Sequence, residues 1–226
     1  KKLEKEIKDH FGVRYVWFVS SGKAALYVIL RALRSLKPDR TEVLIPAYTC
    51  FSVHSAIVRA GLEVALCDVD ASSFDFDGAL LGKSINKRTL CVVPSHLFGI
   101  PSAMEGVVDI CRERAVFVLE DAAQAMGVRR GGKMLGTIGD VGFFSLGRGK
   151  PVTCGSGGII VTNSDAIGSA VDRELSSLPL PGKARQAREY IKVVAMNLFI
   201  RPRLYSLPAA LPFLHLGRTV FDTRFP

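Results

Sequence analysis

The chain has 226 residues, of which 48% are apolar and 23% charged, with a mean hydropathy of +0.25. This composition excludes a disordered or fibrous protein, because it supplies enough apolar surface for the core of one large domain or two small ones. The net charge is +9, but the segment from residue 181 onward holds eight basic and two acidic residues, a net +6. The first 180 residues are therefore nearly neutral, and the overall charge says little about their ligand.

Helices and apolar strands alternate along the first part of the chain. Helices are predicted over residues 2–10, 24–36 and 103–114 and before Gly61, and strands over 14–20, 42–46, 64–69, 90–94 and 115–119. Continuous apolar strands between helices are typical of a parallel sheet that is buried on both faces. Gly-rich strands over 141–146 and 159–162 follow, and then helices over 165–175 and 184–200. The predicted fold class is α/β, with a mostly parallel central sheet flanked by helices.

The cysteines and the termini indicate the setting of the protein. The five cysteines include no C-x-x-C pair and lie mostly in apolar strands, which favours reduced thiols and a cytoplasmic location. The cysteines and the four histidines show no metal-ligand spacing, so no metal site is predicted. The first residues form a charged helix rather than a signal peptide. Without an initiator Met or a closing element, the chain is expected to be a segment of a longer protein.

A phosphate site is predicted where the first strand ends. In open α/β sheets, ligands bind beyond the carboxyl ends of the strands. Residues 20–23 (Ser-Ser-Gly-Lys) join a strand to a helix, and the free N–H groups and dipole of a helix N-terminus suit a phosphate. The spacing is not that of a P-loop, because Ala24 follows the lysine where Ser or Thr is needed. The alternative interpretation is a serine that only caps a surface helix.

Two further motifs carry a carboxylate and a lysine. Glu120 and Asp121 end a buried strand and so lie at the mouth of the sheet, although acids in this position also cap helices. Lys150 lies in a Gly-rich loop between two apolar strands. Partial desolvation there would free its amine to attack a carbonyl, although most lysines are solvated surface groups. A phosphate site, a strand-end carboxylate and such a lysine on one side of a sheet are what pyridoxal 5′-phosphate (PLP) requires.

In the order and spacing of these motifs, residues 10–165 resemble the DegT/DnrJ/EryC1/StrS family of sugar aminotransferases. The matching stretches are residues 21–26, 46–49, 96–99, 120–125, 139–140 and 144–145, with Lys150 five residues later. The resemblance implies the large domain of the PLP-dependent transferase fold type I over residues 1–165. It also implies a helical, basic connecting segment over 166–226, which leads toward a C-terminal small domain that is missing here.

The resemblance assigns expected roles to the motif residues. Lys150 is expected to be the Schiff-base lysine and the general acid/base, and Asp121 to pair with the pyridinium nitrogen. Gln124 is expected near the phenolic oxygen of the cofactor, and Ser145 at its phosphate. The turn formed by residues 21–23 (Ser21, Gly22 and Lys23) completes the predicted phosphate site.

Some positions depart from the family pattern or allow two interpretations. Lys23 stands where the family usually has Thr. Cys50 replaces a Phe or Trp that stacks on the cofactor ring, so either Cys50 or the next residue, Phe51, is expected to cover the ring. Tyr48 and His96 are candidates for substrate contact, although a structural histidine bonded to nearby backbone is an equally good interpretation of His96.

As a function, the resemblance implies a homodimeric, PLP-dependent aminotransferase. It would transfer an amino group from glutamate to a keto sugar, linked to a nucleotide, in polysaccharide or secondary-metabolite biosynthesis. The alternatives are a sugar dehydratase, whose relatives carry His in place of the lysine, and a non-enzymatic regulator or binding module.

A basic segment suggests two classes of macromolecular partner, nucleic acid and a membrane surface. Nucleic-acid binding is not predicted, because the basic residues of the tail lack interleaved aromatic residues. In residues 184–218, basic side chains flank apolar runs. This segment is predicted either to contact a membrane surface or to pack on the missing part of the protein.

Overall fold

The computed structural model describes residues 2–179, 182–199 and 204, and it contains helices around a central sheet. The helices are α1 (Lys2–Phe11), α2 (Gly22–Leu36), α3 (Phe51–Arg59), α4 (Gly78–Ser84), α5 (Met104–Glu113), α6 (Asp165–Ser177) and α7 (Lys183–Phe199). The strands are β1 (Tyr15–Val19), β2 (Glu42–Pro46), β3 (Glu63–Cys67), β4 (Thr89–Val92), β5 (Phe117–Asp121), β6 (Arg129–Arg130), β7 (Lys133–Met134), β8 (Val141–Ser145) and β9 (Gly158–Thr162). The α/β class predicted from the sequence is confirmed.

Seven strands form the central sheet in the order β1-β9-β8-β5-β4-β2-β3. The pairs β2–β3, β2–β4, β4–β5 and β5–β8 are parallel, whereas β9 is antiparallel to both of its neighbours. The other six strands therefore share one direction, and their carboxyl ends lie along one edge of the sheet. The amino end of β9 reaches the same edge, which brings Gly157 and Gly158 beside the end of β1.

Alternate residues of each strand face two different layers of helices. Val43 and Ile45 of β2 belong to the core with α2, α3 and α6, whereas Leu44 between them packs with α4 and α5. In β5, Leu119 faces the α2 layer and Val118 the α5 layer. Because side chains alternate along a strand, Asp121 follows Leu119 toward the α2 layer and Glu120 follows Val118 away from it.

The sequence of helix α2 explains where this helix begins and ends. The Ser21 side chain caps the helix by accepting the Ala24 N–H at 3.0 Å. Ala and Leu favour the helical backbone, and eight residues of the helix are buried against the sheet. The helix ends at Leu36, just before Lys37 and Pro38, because the residue before a proline disfavours helical backbone. Its N-terminus is thus fixed at the carboxyl edge of the sheet.

Several elements differ from the sequence prediction, and the hairpin of β6 and β7 was not predicted. Strand β5 runs from Phe117 to Asp121, so it includes both of the acids that were predicted at the end of a strand over residues 115–119. Helix α4 was not predicted, because it is short and lacks a long apolar repeat; Asp77 caps it by accepting the N–H groups of Ala79 and Leu80.

The first of two compact units ends at Ser177 and includes α6, while α7 belongs to the second unit. The division of the complete protein at residue 165 stays a prediction. Helix α7 agrees with the predicted helix over 184–200. Among the described residues, no helix is long and apolar enough to cross a membrane.

Candidate active site

A pocket of about 240 Å³ opens at the carboxyl edge of the sheet. Segments that follow β1, β2, β4, β5 and β8 line it, as expected for an α/β sheet. Nine of the ten site residues predicted from the sequence are among its lining: Ser21, Gly22, Lys23, Cys50, His96, Asp121, Gln124, Ser145 and Lys150. The tenth, Tyr48, is not.

The first turn of α2 and the end of β8 form a tight cradle. A Cβ atom on Gly22 would lie 2.8 Å from Cβ of Ser145, closer than such atoms come in proteins, and 3.1 Å from its Oγ, which is tighter than most such contacts. Helix geometry leaves the N–H groups of Gly22 and Lys23 without an intrahelical acceptor. Together with the Ser145 hydroxyl, they form a set of donors at a helix N-terminus, which favours an anion.

The amino end of β9 holds this cradle in place. Ser21 forms a parallel bridge to Gly157, and a Cβ atom on Gly158 would lie 2.4 Å from the Ser21 carbonyl oxygen. A side chain at residue 158 would therefore push the α2 N-terminus away from the sheet. The two glycines allow the backbones of two distant segments to touch.

Asp121 is nine-tenths buried and has one oxygen without a partner. Its side chain is part of the pocket lining, with the residue 9% exposed. Oδ1 accepts the Ala123 N–H at 3.0 Å, and Oδ2 has no hydrogen-bond partner among the described residues. Burial raises the pKa of this carboxyl group, while Ala123, Lys150 and His96 act in the opposite direction. A cationic N–H donor bound in the pocket would satisfy Oδ2 and stabilise the charged form.

Glu120, next to Asp121, is fully buried and fully bonded. Its carboxylate accepts the N–H groups of Gly136, Ile138 at 2.8 Å and Gly139 at 3.0 Å, and Nε2 of His96 at 2.7 Å. These bonds join β5 to the loop before β8. Glu120 is therefore a structural anchor, and alternation along β5 is the sequence signal that separates it from Asp121.

His96 uses both ring nitrogens inside the protein. Nδ1 accepts the Ser102 N–H at 3.0 Å, so Nε2 carries the proton and donates it to Glu120. The backbone N–H of His96 also donates to the Asp121 carbonyl oxygen at 3.0 Å. No ring nitrogen is left for a substrate, and this bonding matches the structural interpretation of the residue.

Lys150 lies on the loop between β8 and β9. The loop is closed by backbone bonds from Leu146 to the Gly157 carbonyl and from Cys154 to the Leu146 carbonyl, at 2.8 and 3.0 Å. Gly149 and Gly155 adopt positive φ values of 77° and 81°, which L-residues rarely adopt. The half-buried Lys150 faces the pocket within electrostatic reach of Asp121 and forms no ion pair with a described residue.

Of the remaining predicted residues, Gln124 and Cys50 line the pocket, whereas Phe51 and Tyr48 do not. Gln124 accepts the Phe98 N–H through Oε1 at 3.2 Å, and its Nε2 has no partner among the described residues. Cys50 is exposed and lines the pocket, whereas Phe51 is 59% exposed and does not. Tyr48 packs on Phe74 instead, with ring centroids 5.4 Å apart, so its role in substrate binding stays a prediction.

Three hydroxyl groups in the pocket lining carry no predicted role, those of Thr49, Ser52 and Ser95. Thr49 Oγ1 and Ser95 Oγ lie 3.4 Å apart and join the segments after β2 and β4. Ser95 comes directly after one predicted strand and Thr49 three residues after another, where ligand-binding residues are expected in an α/β sheet.

Fold and pocket together define an α/β protein with an anion cradle, a buried carboxylate and a lysine at one sheet edge. The chain belongs to the DegT/DnrJ/EryC1/StrS aminotransferase family, whose model matches residues 1–219. Members of this family are PLP-dependent.

The chain is similar to complete proteins of about twice its length. It is 31% identical over 217 residues to the GDP-perosamine synthase of Vibrio cholerae, which covers 96% of the chain and 56% of that protein. Among solved structures, 3-amino-5-hydroxybenzoic acid synthase is 30% identical with a TM-score of 0.70, covering 77% of the chain and 44% of that structure. An E. coli GDP-4-keto-6-deoxy-D-mannose-3-dehydratase with bound hydrated PLP is 27% identical with a TM-score of 0.68, covering 74% and 44%.

The pocket residues fit PLP. The Gly22–Ser145 cradle offers donors to a phosphate, and the unpartnered Oδ2 of Asp121 offers an acceptor to a protonated ring nitrogen. The amine of Lys150 opens onto the same pocket and suits the aldehyde of the cofactor.

Proposed function

We propose that the complete protein is a PLP-dependent aminotransferase that transfers an amino group from glutamate to a nucleotide-linked keto sugar. The observation that carries the proposal is the placement of Asp121, Lys150 and the Gly22–Ser145 cradle around one pocket. The 31% identity to a GDP-perosamine synthase supports a sugar substrate. When bound, PLP supplies an electron sink for the carbanion that forms at the reacting carbon.

Asp121 holds the proton on the ring nitrogen. Its carboxylate is buried, and Oδ2, which has no partner among the described residues, would accept one hydrogen bond from that N–H group while Oδ1 stays bonded to Ala123. Burial makes this interaction strong, because water does not screen it. In the absence of a cation, the same burial raises the pKa of the carboxyl group.

Lys150 is the residue that would hold the cofactor through its amine, and the same amine would take up and return the proton of the reacting carbon. The glycines at positive φ hold the loop in its turn, and the bond to the Gly147 carbonyl at 3.3 Å fixes the Lys150 backbone. The lysine thus acts as general acid and general base in successive steps.

The cradle binds the phosphate and so orients the ring. The N–H groups of Gly22 and Lys23 and the Ser145 hydroxyl donate to the phosphate, and the Lys23 ammonium adds charge. This ammonium compensates for the hydroxyl group of the family Thr. Nε2 of Gln124 is available to donate to the phenolic oxygen.

A second copy of the protein is proposed to cover the rim of the pocket. Exposed aromatic side chains lie on the segments that line the pocket or next to them: Tyr48, Phe51, Phe74 and Phe98 are 51%, 59%, 42% and 65% exposed. The rings of Tyr48 and Phe74 lie 5.4 Å apart, and an exposed apolar patch is typical of an interaction surface. A homodimer would complete the sugar site with groups from the partner. Sedimentation of the full-length protein tests it, and a monomer at micromolar concentration would overturn it.

The test of the activity uses the full-length protein and glutamate alone. Glutamate is expected to convert the PLP-loaded protein to the pyridoxamine phosphate form, with loss of the visible absorbance band. Lys150→Ala is expected to lack this band, and Lys133→Ala, which changes an exposed lysine outside the pocket lining, is expected to keep it. A wild-type protein that binds PLP but never forms pyridoxamine phosphate with glutamate would overturn the proposal.

A dehydratase is the second candidate, because an E. coli sugar dehydratase shares the fold at a TM-score of 0.68. The presence of Lys150 favours the aminotransferase, since the dehydratase relatives carry His at this position. Mass spectrometry of products from nucleotide-linked keto sugars separates the two: an aminated sugar supports transfer, and a deoxygenated sugar supports dehydration.

The setting of the protein stays a prediction. All five cysteines lie within the described residues and are unpaired, which supports a cytoplasmic location. Of the segment 184–218, residues 200–203 and 205–218 lie outside the described residues. In the described part, the apolar side chains of Tyr190, Ile191 and Val194 are 72%, 66% and 52% exposed. This exposure supports an interaction surface, for either a membrane or the remainder of the protein. Flotation of the full-length protein with anionic vesicles would support membrane contact, and its absence would support packing on the remainder of the protein.

A further inference from the structure

Cysteine exposure in this protein is confined to the segments around the pocket. Cys67, Cys91 and Cys111 are buried, whereas Cys50 and Cys154 are exposed. Burial raises the pKa of the Cys67 thiol and that of the Cys111 thiol, the latter to about 12, and it raises the pKa of Cys91 further. These three thiols are therefore protected, since the thiolate is the reactive species.

The two exposed thiols differ in one respect. Cys50 immediately precedes α3 and is part of the pocket lining, with its Sγ 3.1 Å from the Ser52 hydroxyl. Cys154 lies on the loop that carries Lys150 but is not part of the lining. An electrophile that enters the pocket therefore meets the Cys50 sulfur, and one in bulk solvent meets both.

The same pocket is built to hold a ligand, independently of its thiol. Asp121 is nine-tenths buried and lines this space, and its Oδ2 has no hydrogen-bond partner among the described residues. The cavity measures only about 240 Å³, so a group attached to Cys50 and a bound cofactor would compete for one volume.

We propose that Cys50 is a thiol-modification site whose modification and the binding of the cofactor exclude each other. With iodoacetamide as the probe, the Cys50 sulfur attacks the methylene carbon. A sulfur–carbon bond forms, the carbon–iodine bond breaks, and the thiol proton passes to the buffer as iodide leaves. The adduct occupies the pocket. Conversely, bound PLP covers the sulfur and blocks the attack. The inference rests on the proposed function in that the blocking ligand is PLP.

The test compares alkylation rates of the full-length protein with and without saturating PLP, measured by peptide mass spectrometry. PLP is expected to slow the labelling of Cys50 at least tenfold and to leave Cys154 unchanged, which makes Cys154 the matched control. In the reverse direction, protein alkylated at Cys50 is expected to bind PLP at least tenfold more weakly. Cys50→Ser, treated in the same way, is expected to keep its affinity for PLP.

The outcomes separate the two proposals. Equal labelling of Cys50 with and without PLP, or unchanged PLP affinity after alkylation, would overturn the inference and leave the proposed function intact. If PLP slows Cys50 and Cys154 equally, the protection is not local to the pocket, and the inference is also wrong. If neither wild type nor Cys50→Ser binds PLP before alkylation, the proposed function fails first and the inference fails with it.

Discussion

Replacement of Gly22 by alanine tests the cradle on which the proposed phosphate site depends. The added Cβ would lie 2.8 Å from Cβ of Ser145, whereas carbon atoms in contact prefer about 3.5–4.0 Å. The α2 N-terminus or the end of β8 must therefore move by about 0.7 Å or more. Overpacking of this kind costs about 1–3 kcal/mol of stability. The same displacement should weaken PLP binding at least tenfold, because the donors leave their positions.

The assay is urea unfolding together with titration of PLP. Gly78→Ala is the matched control, because Gly78 is likewise the first residue of a helix after a capping residue and has nothing within 4 Å of an added Cβ. This control should be neutral or stabilising by about 0.4–1 kcal/mol. Removal of the opposing Cβ should rescue the fold, so Gly22→Ala should cost less in a Ser145→Gly background. Gly22→Ala with wild-type stability and affinity, or no rescue by Ser145→Gly, would refute the reasoning.

Two further predictions concern the adjacent acids of β5. Asp121→Asn should keep the fold but lower the rate of the glutamate half-reaction by about 10²–10⁴-fold, because a neutral amide cannot hold the ring proton. The raised pKa of Asp121 also means that its protonated form stabilises the cofactor-free protein below the ordinary pKa, and that this contribution is lost as pH rises through the folded-state pKa. Cofactor-free Asp121→Asn should therefore gain stability relative to wild type with rising pH in urea unfolding. Glu120→Ala should lower the free energy of unfolding by about 3–5 kcal/mol, because it leaves buried N–H donors without an acceptor.

Each of these has its own control. For Asp121→Asn, bound cofactor should reverse the order of stability; a wild-type half-reaction rate in the variant would contradict the assigned role. For Glu120→Ala, the exposed Glu113→Ala should stay near wild-type stability. Equal losses in the two glutamate variants would contradict the anchoring role of Glu120.

Much of the site could be predicted from sequence because strand ends are local features. Ser21, Asp121 and Ser145 each follow or end an apolar run, and a parallel sheet places such ends at one edge. The roles of neighbours were harder to predict. Glu120 and Asp121 are adjacent and chemically alike, and they are separated only by the alternation of side chains along β5, which continues through Asp121.

Long-range contacts could not be predicted from local pattern. Whether His96 is structural depends on Ser102 and Glu120, six and 24 residues away. Tyr48 belongs to a motif that matches the family, yet its ring packs on Phe74 rather than facing the pocket. Side-chain direction at the end of a strand depends on tertiary packing, which periodicity does not encode.

Reductive trapping of the cofactor tests the central claim most directly. Full-length protein is loaded with PLP and reduced with borohydride, which fixes the cofactor to the lysine that binds it, and the modified peptide is then sequenced by mass spectrometry. The account predicts modification at Lys150, in stoichiometric amount, with Lys23 unmodified. Modification at Lys23, or spread over several surface lysines without preference, would contradict it.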